Sequence, residues 1–141
     1  MTPEQIDMVQ GSLARILREE AALARAFYAE LFAMVPQVRP LFPEDMGAQT
    51  AKLENALIYV VQNLKTPGAL EDTLIPLARR HIEYGATPAH YAAVGLALMV
   101  ALKATTPGGL THAEQNAWLA AYTAISDMMT GEYPGQDMRS A

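Results

Sequence analysis

The chain has 141 residues, 51% of them hydrophobic, and a net charge of −5. That is enough for one compact domain with its own core, and the acidic balance disfavours a nucleic acid or an anionic membrane as partner. With no cysteine, disulfides, thiolate metal sites, cysteine nucleophiles and cofactors attached through cysteine are excluded.

In chain order, helix follows helix. "TPEQIDMVQGSLARIL" opens with Thr2 as N-cap, Pro3 at the first helical position and Gln5 completing a capping box. Its apolar residues Ile6, Val9, Leu13, Ile16 and Leu17 recur at helical spacing. "EEAALARAFYAELFAMV" predicts a second helix, with a stripe of Ala21, Ala24, Tyr28, Leu31, Phe32 and Val35. "PQVRPLFPED" carries three prolines and predicts a short helical turn and a corner. "DMGAQTAKLENALIYVVQNL" predicts a long helix capped by Asp45, and "TPGAL" is expected to break the chain. For the next helix, around "LARRHIEYG", Pro76 suits the first turn and Gly85 a left-handed stop. Thr87-Pro88 begins "TPAHYAAVGLALMVALKAT", and "TPGG" ends it. "LTHAEQNAWLAAYTAISDMM" restarts with Thr111 and Glu114 as a capping box. The tail 133–141 is expected to fray, leaving an ordered core over about 2–132.

No segment alternates like a strand, so the expected fold class is all-α, a single domain over 1–141. No stretch has the build of a signal peptide or a bilayer span, so a soluble, cytoplasmic protein with no membrane partner is expected.

His81 is the one histidine set mid-helix among apolar residues. With Leu77 at zero and about 100° per residue, His81 falls near 40°, Leu74 near 60° and Tyr84 near −20°. Arg79, Arg80 and Glu83 take the opposite side. His81 therefore faces inward. Two readings stay open: a core histidine bonded to a nearby carbonyl, or a metal ligand. A zinc site needs three or four ligands, and neither His90 nor His112 makes a helical pair with His81. A haem iron needs only one, because the porphyrin supplies four nitrogens. Tyr28 and Gln49 also interrupt apolar faces. A buried hydroxyl or amide needs a hydrogen-bond partner.

Taken in order, four stretches resemble the globins, in particular bacterial single-domain haemoglobins and the globin domain of flavohaemoglobins. They are "FYAELFAMVPQVRPLF", "DMGAQTAKLENAL", "LARRHIEYGATPAHYAAVG" and "AWLAAYTAISDMM". The resemblance implies a three-over-three helical sandwich around non-covalent haem b. It makes His81 the proximal iron ligand and Tyr28 and Gln49 the distal donors. Leu53 becomes the distal wall, Phe42 the ring stacked on the porphyrin, Lys52 a propionate partner and Tyr91 the proximal-side tyrosine. It also implies a glutamate late in the last helix. Counted from Trp118, that place falls at Tyr133, with Glu132 beside it, so the expected acceptor for the far nitrogen of His81 is a carbonyl near Leu77. The implied function is reversible binding of dioxygen and other diatomic ligands such as nitric oxide. The alternative is nitric oxide dioxygenation or nitrite reduction with an external reductase, no fused flavin or nicotinamide domain being expected. Monomer and homodimer are both compatible with the resemblance.

Overall fold

The computed structural model describes residues 1–17 and 21–133, which are all-α. They form α1 (Pro3–Ile16), α2 (Ala22–Met34), a 3-10 turn (Pro36–Leu41), α3 (Gly47–Gln62), α4 (Pro67–Glu83), α5 (Pro88–Thr105) and α6 (His112–Thr130). Caps set several of these limits. Thr2 and Gln5 exchange side-chain-to-backbone hydrogen bonds of 3.1 and 3.0 Å at the start of α1. Thr111 and Glu114 do the same at α6. Each exchange satisfies two N–H groups that a helix start leaves open. Glu114 also pairs with Arg15 of α1 at 2.7 Å. The Thr111 backbone N–H, then Arg15, hold its carboxyl below the ordinary range. At α5 the Thr87 N–H donates to His90 Nδ1 at 3.1 Å, so an imidazole stands where a capping box ordinarily has a glutamate or glutamine.

Several boundaries differ from the pattern read in the sequence. Thr66-Pro67 does not break the chain but starts α4, with Thr66 as its N-cap. Pro76 then lies inside α4, not in its first turn. Proline has no N–H for the carbonyl four residues back, here Asp72. Both residues face solvent, so that carbonyl is not buried unpaired and the helix continues. Tyr84, placed by the wheel near the inner arc, is 63% exposed because the helix ends there. The N-cap of α3 is Met46, although the Asp45 carboxylate still accepts from the Gly47 N–H at 2.9 Å. α2 begins after Ala21, whose φ of 60° is left-handed; Glu19 and Glu20 lie outside the described residues. Tyr133 is buried rather than frayed, and 134–141 lie outside the described residues.

α2 packs along α5, and α5 along α6, to make one layer. Over it lie α1 and α4, both on α6, and α3, on α2. Three helices thus cover three. Val9, Leu23, Leu74 and Leu102 are fully buried, each such burial contributing roughly 1.5–3 kcal/mol. Ser12 is buried among them and accepts a 3.0 Å hydrogen bond from Trp118 Nε1, tying α1 to α6. α5 and α6 approach closely at Gly95, where a Cβ would come within 2.7 Å of the Tyr122 ring. α3 and α4, by contrast, make little direct contact, and a crevice lies between them.

The Tyr122 ring is also held by its hydroxyl, which donates to the Tyr91 carbonyl, so it has little freedom to move aside. Gly95→Ala should therefore destabilise the chain by about 1–3 kcal/mol. Urea unfolding measures this, and an unchanged midpoint would mean that Tyr122 yields freely.

Candidate functional site

The first group of polar and aromatic side chains lies on α2, the proline corner and α3. Tyr28 is buried, its ring 5.0 Å from Phe27, 5.7 Å from Phe32 and 5.4 Å from Phe42, centre to centre. Gln49 Nε2 donates to the Tyr28 hydroxyl at 3.0 Å. Tyr28, Phe42 and Gln49, far apart in sequence, are thus brought together. A carboxylate sets α3 against α2: Glu54 Oε2 accepts from the Ala24 N–H at 3.2 Å. That bond satisfies a first-turn donor of α2 and places negative charge at the positive end of its dipole.

Arg39, which the sequence reading passed over, holds the corner. Its guanidinium donates to the carbonyls of Phe42, Pro43 and Glu44 at 3.2, 3.0 and 3.3 Å and lies over the Phe32 ring at 5.1 Å. A signal was present. A proline-rich corner has few N–H groups for its carbonyls, and the only arginine in that corner carries five donors in a fixed fork.

Burial raises the Tyr28 pKa, with the Gln49 amide pulling back. The phenol therefore keeps its proton at neutral pH. Gln49 occupies a lone pair of the phenol oxygen, and among the described residues no acceptor takes the phenol proton.

The second group surrounds the end of α4. His81 is half-buried, and its Nδ1 lies 2.8 Å from the Leu77 carbonyl. A carbonyl can only accept, so Nδ1 carries a proton, and in the neutral imidazole Nε2 keeps its lone pair. The helix then stops in a Schellman arrangement. The Ala86 N–H donates to the His81 carbonyl at 3.0 Å, the Gly85 N–H to Ile82 at 3.1 Å, and Gly85 has a φ of 92°. The Tyr91 ring lies 6.5 Å from the imidazole and 5.8 Å from Tyr133. The Tyr133 hydroxyl reaches the Ala86 carbonyl at 2.8 Å and the Tyr91 hydroxyl at 3.4 Å. Burial raises the pKa of Tyr91, and that of Tyr122 to about 12, so both stay protonated. Glu132 turns outward to Arg79 at 3.4 Å.

Between the groups, the crevice encloses about 150 Å³ lined by apolar and aromatic side chains, among them Leu53, Leu57, Val60, Leu77, Val94 and Leu98. Leu53 lies one turn after Gln49 on α3, and Leu77 one turn before His81 on α4, so both groups adjoin the cavity through a helical neighbour. Tyr28, Phe42, Gln49, His81 and Tyr91 do not line the enclosed volume themselves. Lys52 is exposed on α3 and forms no ion pair among the described residues. The volume is below the ~300–1,000 Å³ of ordinary ligand pockets, so a flat macrocycle requires the walls to part. A second hollow of about 420 Å³, open at the surface beside Arg25, Met46 and Thr50, contains none of these site residues.

Among the described residues no three His, Asp or Glu side chains converge. A lone imidazole with a free Nε2, beside an apolar crevice, suits a metal whose other ligands come from a macrocycle. The residues therefore fit a haem.

The three-over-three packing and this site define the class: the globin sequence profile matches residues 25–129, and the chain belongs to the globin family. Membership of that family implies haem binding. Flavohemoproteins of Deinococcus radiodurans and Bordetella pertussis are 27% and 28% identical over 93% of this chain. One from a Burkholderia strain is 30% identical over the same share. The chain spans about a third of the length of these relatives. A bacterial globin from Campylobacter jejuni superposes with a TM-score of 0.82 at 24% identity, covering 99% of both chains. An engineered carbene transferase from Rhodothermus marinus, provisionally designated a nitric oxide dioxygenase, superposes at 0.84 with 22% identity, covering 99% of this chain and 96% of its own. At those identities the likeness shows the globin fold.

Arg39→Ala removes three hydrogen bonds to corner carbonyls. The amides of Phe42, Glu44 and Asp45 should then exchange with solvent at least about tenfold faster, the effect of losing one such bond. Unchanged exchange would mean that the prolines alone hold the corner.

Proposed function

We propose that this chain holds haem b through His81 Nε2 and binds dioxygen reversibly. One observation carries the reading. His81, with Nδ1 tied to the Leu77 carbonyl, and the Tyr28–Gln49 pair adjoin one apolar crevice from its two walls. When bound, haem supplies a ferrous iron with a position open to diatomic ligands.

The protein's residues do the rest. The Leu77 carbonyl fixes the imidazole tautomer and its rotation about the ring bond. On the other wall, the Tyr28 hydroxyl, its proton uncommitted, donates to a ligand carrying partial negative charge. Gln49 orients that phenol and offers a second amide proton. Leu53 and Leu57 exclude water, which strengthens both hydrogen bonds. Phe42, fixed by Arg39, would help hold the porphyrin, and Lys52 would pair with a propionate.

The flavohemoprotein relatives and the Rhodothermus protein favour a second reading at the same site. In it, nitric oxide and dioxygen combine to nitrate with one electron per turnover from a separate reductase, or nitrite is reduced. Mixing the dioxygen-loaded protein with nitric oxide, then adding a bacterial flavin reductase with NADH, separates the readings. Sustained nitrate formation supports the enzyme; a single turnover without re-reduction leaves the carrier.

His81→Ala should abolish the Soret band of the purified protein, and a retained band with an unchanged ferrous spectrum would remove His81 as the ligand. Tyr28→Phe should speed dioxygen release roughly 5- to 150-fold, equivalent to losing a hydrogen bond of about 1–3 kcal/mol to a charged group. Stopped-flow displacement measures it, and an unchanged rate would mean that the phenol points elsewhere.

A further inference from the structure

We infer that Tyr133 is a positioning residue for His81: from beyond the end of α6 it fixes both the backbone that terminates α4 and the ring of Tyr91 beside the imidazole. The inference rests on the haem reading for its consequence, though not for its geometry.

The first arm runs through Ala86. The Tyr133 hydroxyl donates to the Ala86 carbonyl at 2.8 Å, across 47 positions of sequence. The N–H of the same alanine donates to the His81 carbonyl at 3.0 Å. Residue 86 is therefore held at both of its polar groups. One bond anchors it to the end of α6, and the other closes the helix on His81 itself.

The second arm runs through Tyr91. A phenol has one proton, and a carbonyl can only accept. With the Tyr133 proton committed to Ala86, Tyr91 is the donor available to the long 3.4 Å contact between the two hydroxyls. The Tyr91 proton therefore points toward Tyr133 and away from His81. The Tyr133 ring stands edge-on to Tyr91 at 5.8 Å, and Tyr122 holds the Tyr91 carbonyl from behind. Tyr91 is thereby set in one rotation, 6.5 Å from the imidazole. His81 keeps as its sole hydrogen-bond partner, among the described residues, the neutral carbonyl of Leu77.

Tyr133 touches neither the imidazole nor the crevice, so its effect is on the position of His81. The test uses the full chain carrying Tyr133→Phe, Tyr91→Phe or, as a control, Thr111→Ala, which removes the capping box at the opposite end of α6. Two quantities are read: the exchange rate of the Ala86 amide relative to core amides of α6, in haem-free protein, and the iron–histidine stretching band of the ferrous haem-loaded protein. Tyr133→Phe should speed Ala86 exchange about tenfold, as loss of one neutral hydrogen bond would, and should shift or broaden the band. Tyr91→Phe should alter the band and leave Ala86 exchange as in wild type. Thr111→Ala should change neither. Wild-type exchange in Tyr133→Phe overturns the clasp, and an equal band change in Thr111→Ala reduces Tyr133 to general stability. If the wild-type chain takes up no haem, the haem reading falls, and Ala86 exchange alone decides the clasp.

Discussion

The site depends on α3 and α4 being fixed by their other neighbours rather than by each other. Two apolar helix faces left to themselves would close, since each buried leucine contributes roughly 1.5–3 kcal/mol. Here Leu53, Leu57, Leu77, Val94 and Leu98 remain only half-covered. The walls stay where the rest of the molecule puts them. Glu54 seats α3 on the first turn of α2, and Tyr133 seats the end of α4 against the end of α6. Arg79 and Glu132 add a mostly exposed ion pair across the same junction, worth at most about 1 kcal/mol. Uncovered apolar surface between rigid supports is a standing free-energy cost that a flat apolar ligand would relieve.

The two walls differ in polarity. On the α3 side the polar groups present donors: the Gln49 amide gives one proton to Tyr28, and the phenol proton remains uncommitted. On the α4 side the imidazole's far proton is spent on a carbonyl and its near nitrogen is left as a lone pair. A ligand held between them as proposed would meet an electron-pair donor from one direction and proton donors from the other. That polarity suits a bound metal centre whose outer ligand gathers negative charge. It also explains why Tyr28 must remain a neutral phenol, which its burial ensures.

The order of helices, the inward face of His81 and the Thr111 box were readable because each rests on local chemistry within one turn. The meeting of Tyr28 with Gln49 was not derivable from either helix, since it depends on how α2 crosses α3; resemblance to a family placed the two together before any physical argument could. Pro76 misled because proline fits a first turn and an exposed interior position about equally well when the orphaned carbonyl faces solvent. Arg39 went unread, and Tyr133 was read only as the place of an absent glutamate, for a common reason. Both act on backbone carbonyls, and a sequence displays side chains, not which carbonyls the fold leaves without a partner. His90 shows the converse: of two histidines with no evident role, one proves to be a helix cap.

Pro76 has a mechanical side. The rung missing from the backbone ladder lies one residue before Leu77, where the turn carrying the imidazole begins. A helix bends most easily where such a rung is absent. The trailing turn can therefore tilt about this point with its own hydrogen bonds intact, within the reach of its Arg79–Glu132 and Tyr133–Ala86 ties to the end of α6. Opening the crevice to the thickness of a macrocycle then strains a compliant joint, and the Leu77–His81 geometry travels with the segment unaltered.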